Sequence, residues 1–368
     1  MEIIFILIIA GAALGIQLVI YRKLGSRRLS YFARLAQNEV YEGEEAVLTE
    51  VISNGKLLPL PFVKTEIIAH SCLDFGVNAE KSKENMCSIP SIFSLKGNEQ
   101  CTRTRKIKCS LRGVFDIGSK TLYGSDLFGL SSFSAVNEQN VRLTVLPSPL
   151  GTEDFYPSSR LLYGDIQVRR FICEDPFLIS GAHEYTGREP MNSIFWNASA
   201  KTGQLMALNR DYTTYSRLLI LLTFQRRDEM PAPAADSVCE VLIKAAAFAL
   251  EQGVKNKSDF TLGINVPDEE TPDAQNGENF KTEQLRRLAK VTPQCHLPVI
   301  DFIKSQKPRN FTDIILITPY FSQNTSDYLK DIEAAGQCVR VYSTQCAAKE
   351  ESFFVQIRRE TGTTSHKY

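Results

Sequence analysis

Histidine is scarce, tryptophan nearly absent, and the cysteines never stand in pairs. Four histidines, at 70, 183, 296 and 366, leave acid–base chemistry few carriers, and none lies in a G-x-S-x-G or comparable nucleophile context. The nine cysteines contain no Cys-x-x-Cys, and the single adjacent Cys295-His296 lacks companions at metal-ligand spacing, which argues against zinc. Their odd number and scatter point to free thiols in a reducing compartment. Charge of one sign is missing too. Forty-two basic residues balance forty-two acidic ones, so no net field recruits nucleic acid or anionic substrates. Neither the Walker pattern nor G-x-G-x-x-G occurs; the nearest imitation, Gly11 to Gly15, sits inside an apolar run, so nucleotide binding through a known motif is excluded.

That apolar run is the most prominent feature present. Residues 3–20, IIFILIIAGAALGIQLVI, are broken only by Gln17, and at 1.5 Å per residue they span about 27 Å, close to the hydrocarbon thickness of a bilayer. Met1-Glu2 precedes the run, and Arg22, Lys23, Arg27 and Arg28 follow it. A cleaved secretory signal would carry its positive charges first; the alternative, cleavage near Ala10 to Gly15, has to be set against that order. The positive-inside rule places the N-terminus outside and everything from Tyr21 onward in the cytoplasm, giving a single-pass plasma-membrane protein. LLILLTF (218–224) is too short to span and reads as a buried strand.

Beyond this anchor and its basic flank (1–24), the chain uses two different patterns. Within 25–150, EAVLTEVISN alternates and stops at Asn54-Gly55, LPFVKTEIIA alternates again, and RTRKIKCSLRGVFDIGSKTLYGSD follows period two, which predicts an antiparallel β-sandwich region. No His, Asp or Glu in it stands at a spacing that predicts convergence. Within 213–346, buried strands are predicted at 216–224, 259–266, 312–321 and 338–344, alternating with helices at 235–253, 283–291, 298–306 and 324–336, the last with an Asn324 cap and a Gly336 stop. Such alternation implies a mainly parallel sheet. A linker and signature segment (151–212) joins the two regions, and 347–368 is read as a C-terminal tail.

Open parallel sheets form their sites at the carboxyl ends of strands, so the first place for chemistry is Thr223-Phe224-Gln225-Arg226-Arg227-Asp228. Two arginines where a divalent ion needs oxygen ligands oppose a metal there. Ser199-Ala200-Lys201 lacks the Ser-x-x-Lys spacing, and His183-Glu184 is the one place where an unrecognised hydrolase or peptidase site would stand. What remains is the stretch from Glu184 to Met206, EYTGREPMNSIFWNASAKTGQLM, which holds the only tryptophan. Ile194, Trp196 and Ala198 alternate, suggesting strand, short helix or turn, then strand. Trp196 reads as a large anchor, with Ser199, Ala200 and Leu205 locking the segment onto the first parallel strand. Arg188, Glu189, Asn192 and Lys201 read as an exposed cluster of hydrogen-bonding groups.

The spacing Tyr185-x-x-Arg188-Glu189-Pro190-Met191-x-x-Ile194-x-Trp196-x-x-Ser199-Ala200-x-x-Gly203-x-Leu205-Met206 resembles the signature of the bacterial domain-of-unknown-function 58 family. Arg112-Gly113-Val114-Phe115-Asp116-Ile117-Gly118, Asp126-Leu127-Phe128-Gly129-Leu130 and Leu146-Pro147 are similar to further family traits, as is the N-terminal membrane segment. The resemblance implies an α/β von Willebrand factor A-like (Rossmann-like) domain at 213–346 behind the membrane-anchored β-region. It also implies partnership with MoxR-type AAA+ ATPases and transglutaminase-like membrane proteins, with no cofactor and no established enzymatic activity. Where many members have Gly-Asp and then Arg, this chain has Arg188-Glu189 and then Asn192. Members able to bind a metal carry Asp-x-Ser-x-Ser where Thr223 to Arg227 stand, which puts the metal-dependent adhesion alternative in doubt. The expected function is therefore a non-enzymatic interaction module, with Tyr185, Arg188, Glu189, Asn192, Trp196, Ser199 and Lys201 as its marked residues.

Overall fold

The structure is a computed structural model of the chain. It describes residues 2–76, 80–81, 85–126, 128–151, 154, 173–186, 194–213, 216–227, 230–346 and 354–357. Two compact units divide it: Met1–Ser148 with Leu285–Val291, and Pro149–Gln284 with Thr292–Tyr368.

The first unit opens with helix α1 (Glu2–Leu24). Ten strands follow: β1 (Leu29–Leu35), β2 (Glu39–Tyr41), β3 (Glu45–Asn54), β4 (Leu60–His70), β5 (Leu73–Asp74), β6 (Glu80–Lys81), β7 (Met86–Leu95), β8 (Gln100–Cys109), β9 (Gly113–Ser125) and β10 (Ser132–Leu146). They form a four-stranded sheet, β1-β3-β8-β5, and a six-stranded sheet, β2-β10-β9-β4-β7-β6. The second sheet is mixed, because β2 runs parallel to β10. Period-two alternation decides what faces inward: in β3 the buried positions are Ala46, Leu48, Glu50, Ile52 and Asn54. Leu48, Ile52 and Ile107 from one sheet meet Ile67, Ile89, Ile117 and Leu143 from the other in a single core, which makes the unit a β-sandwich. Each such side chain, wholly removed from water, contributes about 1.5–3 kcal/mol.

Helix α1 is long and apolar enough over Ile3–Leu24 to cross a membrane. Its last turns are built into the sandwich. Tyr21 is buried and its hydroxyl donates to the Pro59 carbonyl at 2.9 Å. Gly25 packs so closely that a Cβ there would lie 2.4 Å from both the Tyr21 carbonyl oxygen and the Phe133 ring. Lys56 Nζ donates to the carbonyls of Gly25 (2.6 Å) and Arg27 (2.8 Å), meeting the need for donors where the helix runs out.

The later elements are β11 (Cys173–Glu184), α2 (Trp196–Thr202), β12 (Met206–Thr213), β13 (Arg217–Leu222), β14 (Gln225–Arg227), β15 (Met230–Pro233), α3 (Asp236–Lys255), β16 (Asp259–Ile264), α4 (Glu278–Lys290), α5 (Val299–Ser305), β17 (Asp313–Phe321), α6 (Gln323–Ala334), β18 (Cys338–Cys346) and β19 (Phe354–Gln356). β11 and β12 form their own antiparallel pair, as do β14 and β15. β16-β13-β17-β18-β19 make a parallel sheet whose central strands are buried over residues 218–222 and 314–319, which is why they read as apolar runs. Helix α3 buries Leu242, Ile243, Ala246 and Leu250, with Asp236 in its first turn and Lys255 in its last, matching its dipole.

The expected von Willebrand factor A-like (Rossmann-like) class is corrected by this architecture. Of the nineteen described strands, five belong to the parallel sheet and the other fourteen to antiparallel or mixed sheets; the described α-helices number six, one of them α1. An alternation of buried strands and amphipathic helices reports that both faces of a sheet are covered, but it fixes neither strand number nor the surrounding sheets. Two details also differ. Residues 354–356 form the strand β19 within the segment read as a tail. The cap of α6 is Ser322, whose Oγ accepts from the Thr325 amide at 3.2 Å, rather than Asn324 two residues further in.

Candidate functional site

The signature segment returns to the β11–β12 pair, where Glu184 faces Met206 and His183 faces Ala207. The Tyr185 amide extends this ladder by donating to the Leu205 carbonyl at 2.8 Å. On the other side of β12, Ile194 bridges to Ala207 and the Phe195 amide donates to the Met206 carbonyl at 2.8 Å. Helix α2 begins at the next residue. Ser199 Oγ donates to the Phe195 carbonyl at 2.9 Å and accepts from the Met206 amide at 2.8 Å, so one hydroxyl ties the helix to the strand. Gly203, at φ 73°, ends the helix in the left-handed conformation, its amide donating to the Ser199 carbonyl. Seven residues form no stable helix alone; these bonds hold it.

The segment is pinned differently from expectation. Ile194 and Ala207 are the buried contacts, whereas Trp196 is 65% exposed and Leu205 50%. Trp196 and Leu205 therefore do not lock the segment onto the first parallel strand; the pairing is with β12. The cause is the period. Alternation suggested that Ile194 and Trp196 share a face, but the backbone turns helical at Trp196, so Ser199 reaches the Met206 amide of β12 while Trp196 and Ala200, four apart, share an exposed face. Lys201 is exposed in the last turn. Arg188, Glu189 and Asn192 lie outside the described residues. His183 and Glu184 are exposed at the end of β11, and Tyr185 is half-buried. An indole, a leucine side chain and an ammonium on one short helix and its exit turn suit binding to another surface.

At the carboxyl ends of the parallel strands stands a set of buried hydroxyls and amides: Thr223, Asn265, Thr318, Ser322 and Thr344. They are spent on the protein's own loops. Asn265 donates through Nδ2 to the Leu297 carbonyl (2.7 Å) and to Thr223 Oγ1 (3.3 Å), and accepts from the Leu297 amide (3.0 Å). Thr344 Oγ1 donates to the Pro319 carbonyl and Thr318 Oγ1 to that of Tyr320, each at 2.9 Å. Arg226 and Arg227 are exposed. Among the described residues no three His, Cys, Asp or Glu side chains gather as a metal-holding group.

The sandwich contains side chains whose convergence the spacing did not reveal. Glu50, fully buried, accepts from the Tyr31 hydroxyl (3.0 Å), Ser91 Oγ (3.2 Å) and Arg105 Nε (3.1 Å), and Arg105 Nη2 donates to Ser91 Oγ at 2.8 Å. Ser91 comes from the six-stranded sheet and the other three from the four-stranded sheet, so the network ties the two layers. Burial first, then the Glu50 charge, pushes the Tyr31 hydroxyl far above its ordinary range. The available signal was a glutamate at an inward position of an alternating strand. Nearby in sequence, His70 Nδ1 lies 3.0 Å from Cys72 Sγ, and burial pushes the Cys72 thiol up to about 12, with Cys109 and Cys87 adding to the effect.

No protein-family model matches the chain, and no curated protein matches it significantly. Among solved structures it is similar to a cohesin module from a family 33 glycoside hydrolase of Clostridium perfringens, at 7% identity and TM-score 0.24, over 33% of this chain and 98% of that one. It is similar to the CARDB domain of a Pyrococcus furiosus protein at 14% identity and TM-score 0.22, over 32% of this chain and 91% of that one. A non-cellulosomal cohesin from Archaeoglobus fulgidus aligns at 13% identity and TM-score 0.23, over 32% and 91% respectively. Likenesses of this size establish neither a family nor a function for the chain.

Proposed function

We propose that this chain is a membrane-anchored, non-enzymatic interaction module of the domain-of-unknown-function 58 kind. In this reading it serves as partner or scaffold for a MoxR-type AAA+ ATPase, with a transglutaminase-like membrane protein as a further partner, in a bacterial envelope. The observation that carries the reading is the α2 platform. An isolated exposed leucine is ordinary, but a 65% exposed tryptophan and a 50% exposed leucine, on a short helix and its exit turn held by a half-buried serine bond, are what an interface anchor requires before its partner arrives. Rigidity matters because ordering a loose segment would subtract from affinity. The spanning-length α1, with Arg22 and Lys23 in its last turn and Arg27 and Arg28 just after it, supports a plasma-membrane anchor with the N-terminus outside and the chain after α1 on the cytoplasmic side.

The test is direct binding of the full chain in nanodiscs to the MoxR-type ATPase of the same organism. Trp196→Ala is expected to weaken a saturable interaction by about 2 kcal/mol, roughly 30-fold in Kd. Charge reversal at Lys201 weakens it further if the partner surface is acidic. Absence of saturable binding, or a Kd indifferent to Trp196→Ala, overturns the reading.

A further inference from the structure

Near the foot of α1 the sandwich exposes large apolar side chains that its own core does not use: Phe128 and Leu130, each 65% exposed. Phe128 and Leu130 stand on the turn between β9 and β10. Asp126 closes that turn, its amide donating to the Ser131 carbonyl and its Oδ1 accepting from the Ser131 amide, each at 3.0 Å. Gly129, at φ 72°, supplies the left-handed residue the turn needs. The second carboxylate oxygen of Asp126 accepts from Gln17 Nε2 of α1 at 3.4 Å.

The register along α1 gives these residues a depth. Arg22 and Lys23 are exposed and start the basic flank that Arg27 and Arg28 continue. Gln17 lies five residues before Arg22, about 7.5 Å further along the helix axis toward the apolar end. A turn fastened to Gln17 therefore stands below the level of the basic side chains. Amphipathic elements that lie in a membrane surface bury their apolar groups about 5–10 Å into the headgroup and acyl boundary. The contacts of Tyr21, Gly25 and Lys56 make the foot of α1 and the sandwich one packed body, so seating the helix carries the turn with it.

We propose that Phe128 and Leu130 form a collar that enters the acyl boundary of the bilayer beside α1, with Arg22, Lys23, Arg27 and Arg28 against anionic phospholipid headgroups. The collar fixes the height and tilt of the sandwich on the membrane. This inference rests on α1 being the membrane anchor. The occupant is lipid because the turn that carries the apolar pair is hydrogen-bonded to the spanning helix on the apolar side of its basic flank.

The experiment uses the full chain in liposomes of phosphatidylcholine and phosphatidylglycerol. The single tryptophan is removed by Trp196→Phe, and reporters are returned one at a time as Leu7→Trp in α1, Phe128→Trp, Leu130→Trp and Leu111→Trp. Leu111 precedes β9, and Ser125 ends it next to the collar turn, so the control stands about 40 Å away along the strand. Phe128→Trp and Leu130→Trp are expected to be blue-shifted and quenched by phospholipid brominated near the carbonyl end of its chains, with Leu111→Trp water-like and unquenched. If Leu7→Trp is quenched while the two collar tryptophans behave like Leu111→Trp, the collar is refuted and the anchor stands. A collar tryptophan that shifts only when a partner protein is added also refutes it. If Leu7→Trp itself is unquenched, the anchor fails and the collar with it.

Discussion

Removing the cation from the sandwich network gives a sharp test of how the two sheets are held. In Arg105→Met the methionine fills much of the same space, but Glu50, with none of its side chain exposed, keeps only two neutral donors, the Tyr31 and Ser91 hydroxyls. Holding a carboxylate charged in that setting without its cation costs several kcal/mol, and breaking a buried pair by deleting one partner typically costs about 3–5 kcal/mol. In the double variant Glu50→Leu/Arg105→Met no charge is stranded, and what remains is the unmade hydrogen bonds of the two hydroxyls, about 1–2 kcal/mol. Hydrogen exchange of β3 and β8 peptides in the full chain, with β17 peptides as control, reads these opening energies separately from the other unit. A β3 loss under about 1 kcal/mol at pH 7, or a double variant as damaged as the single one, would refute the reasoning.

Two further outcomes follow from the geometry. Burial holds the Cys72 thiol up to about 12 from an ordinary 9.0, so at pH 8 the folded protein carries roughly a thousandfold less thiolate there than an unfolded chain. Cys72 should alkylate far more slowly than its half-exposure suggests, as read by mass spectrometry of iodoacetamide-treated native and denatured chain. The same shift leaves stability flat below pH 9, where both states hold the proton, and lowers it above pH 9, where only the unfolded chain releases it. Ser199→Ala deletes the acceptor of the Met206 amide; the local opening energy there should fall by about 1 kcal/mol, with faster exchange at Met206 and little change in β13.

The parts of the fold legible in the sequence were those written in long periodic stretches. The β3 and β4 alternations, the apolar runs of β13 and β17 and the helix over α3 stand close to where their periods place them. β19 was illegible because three residues on a sheet edge carry no length signature. Glu50 was legible in position but not in partners: Arg105 and Ser91 reach it through cross-strand and cross-sheet geometry that spacing does not encode. Trp196 was misplaced because alternation over three residues cannot be told from the entry to a short helix.

The same considerations bear on where function resides. In an open parallel sheet the carboxyl edge is where ligands usually meet the chain, yet here Asn265 clamps Leu297 from both sides and Thr344 holds Pro319, so the polar side chains of that edge work as loop fasteners. A ligand entering there would have to break bonds already made and leave the freed groups unmatched, at about 1–3 kcal/mol each. The exposed face of α2 carries no such obligation: Trp196 and Leu205 make no demand that burial against a partner would not improve. Binding at α2 therefore gains apolar burial without first dismantling internal bonds, and that asymmetry directs mutagenesis to Trp196 and Lys201 before any residue of the sheet edge.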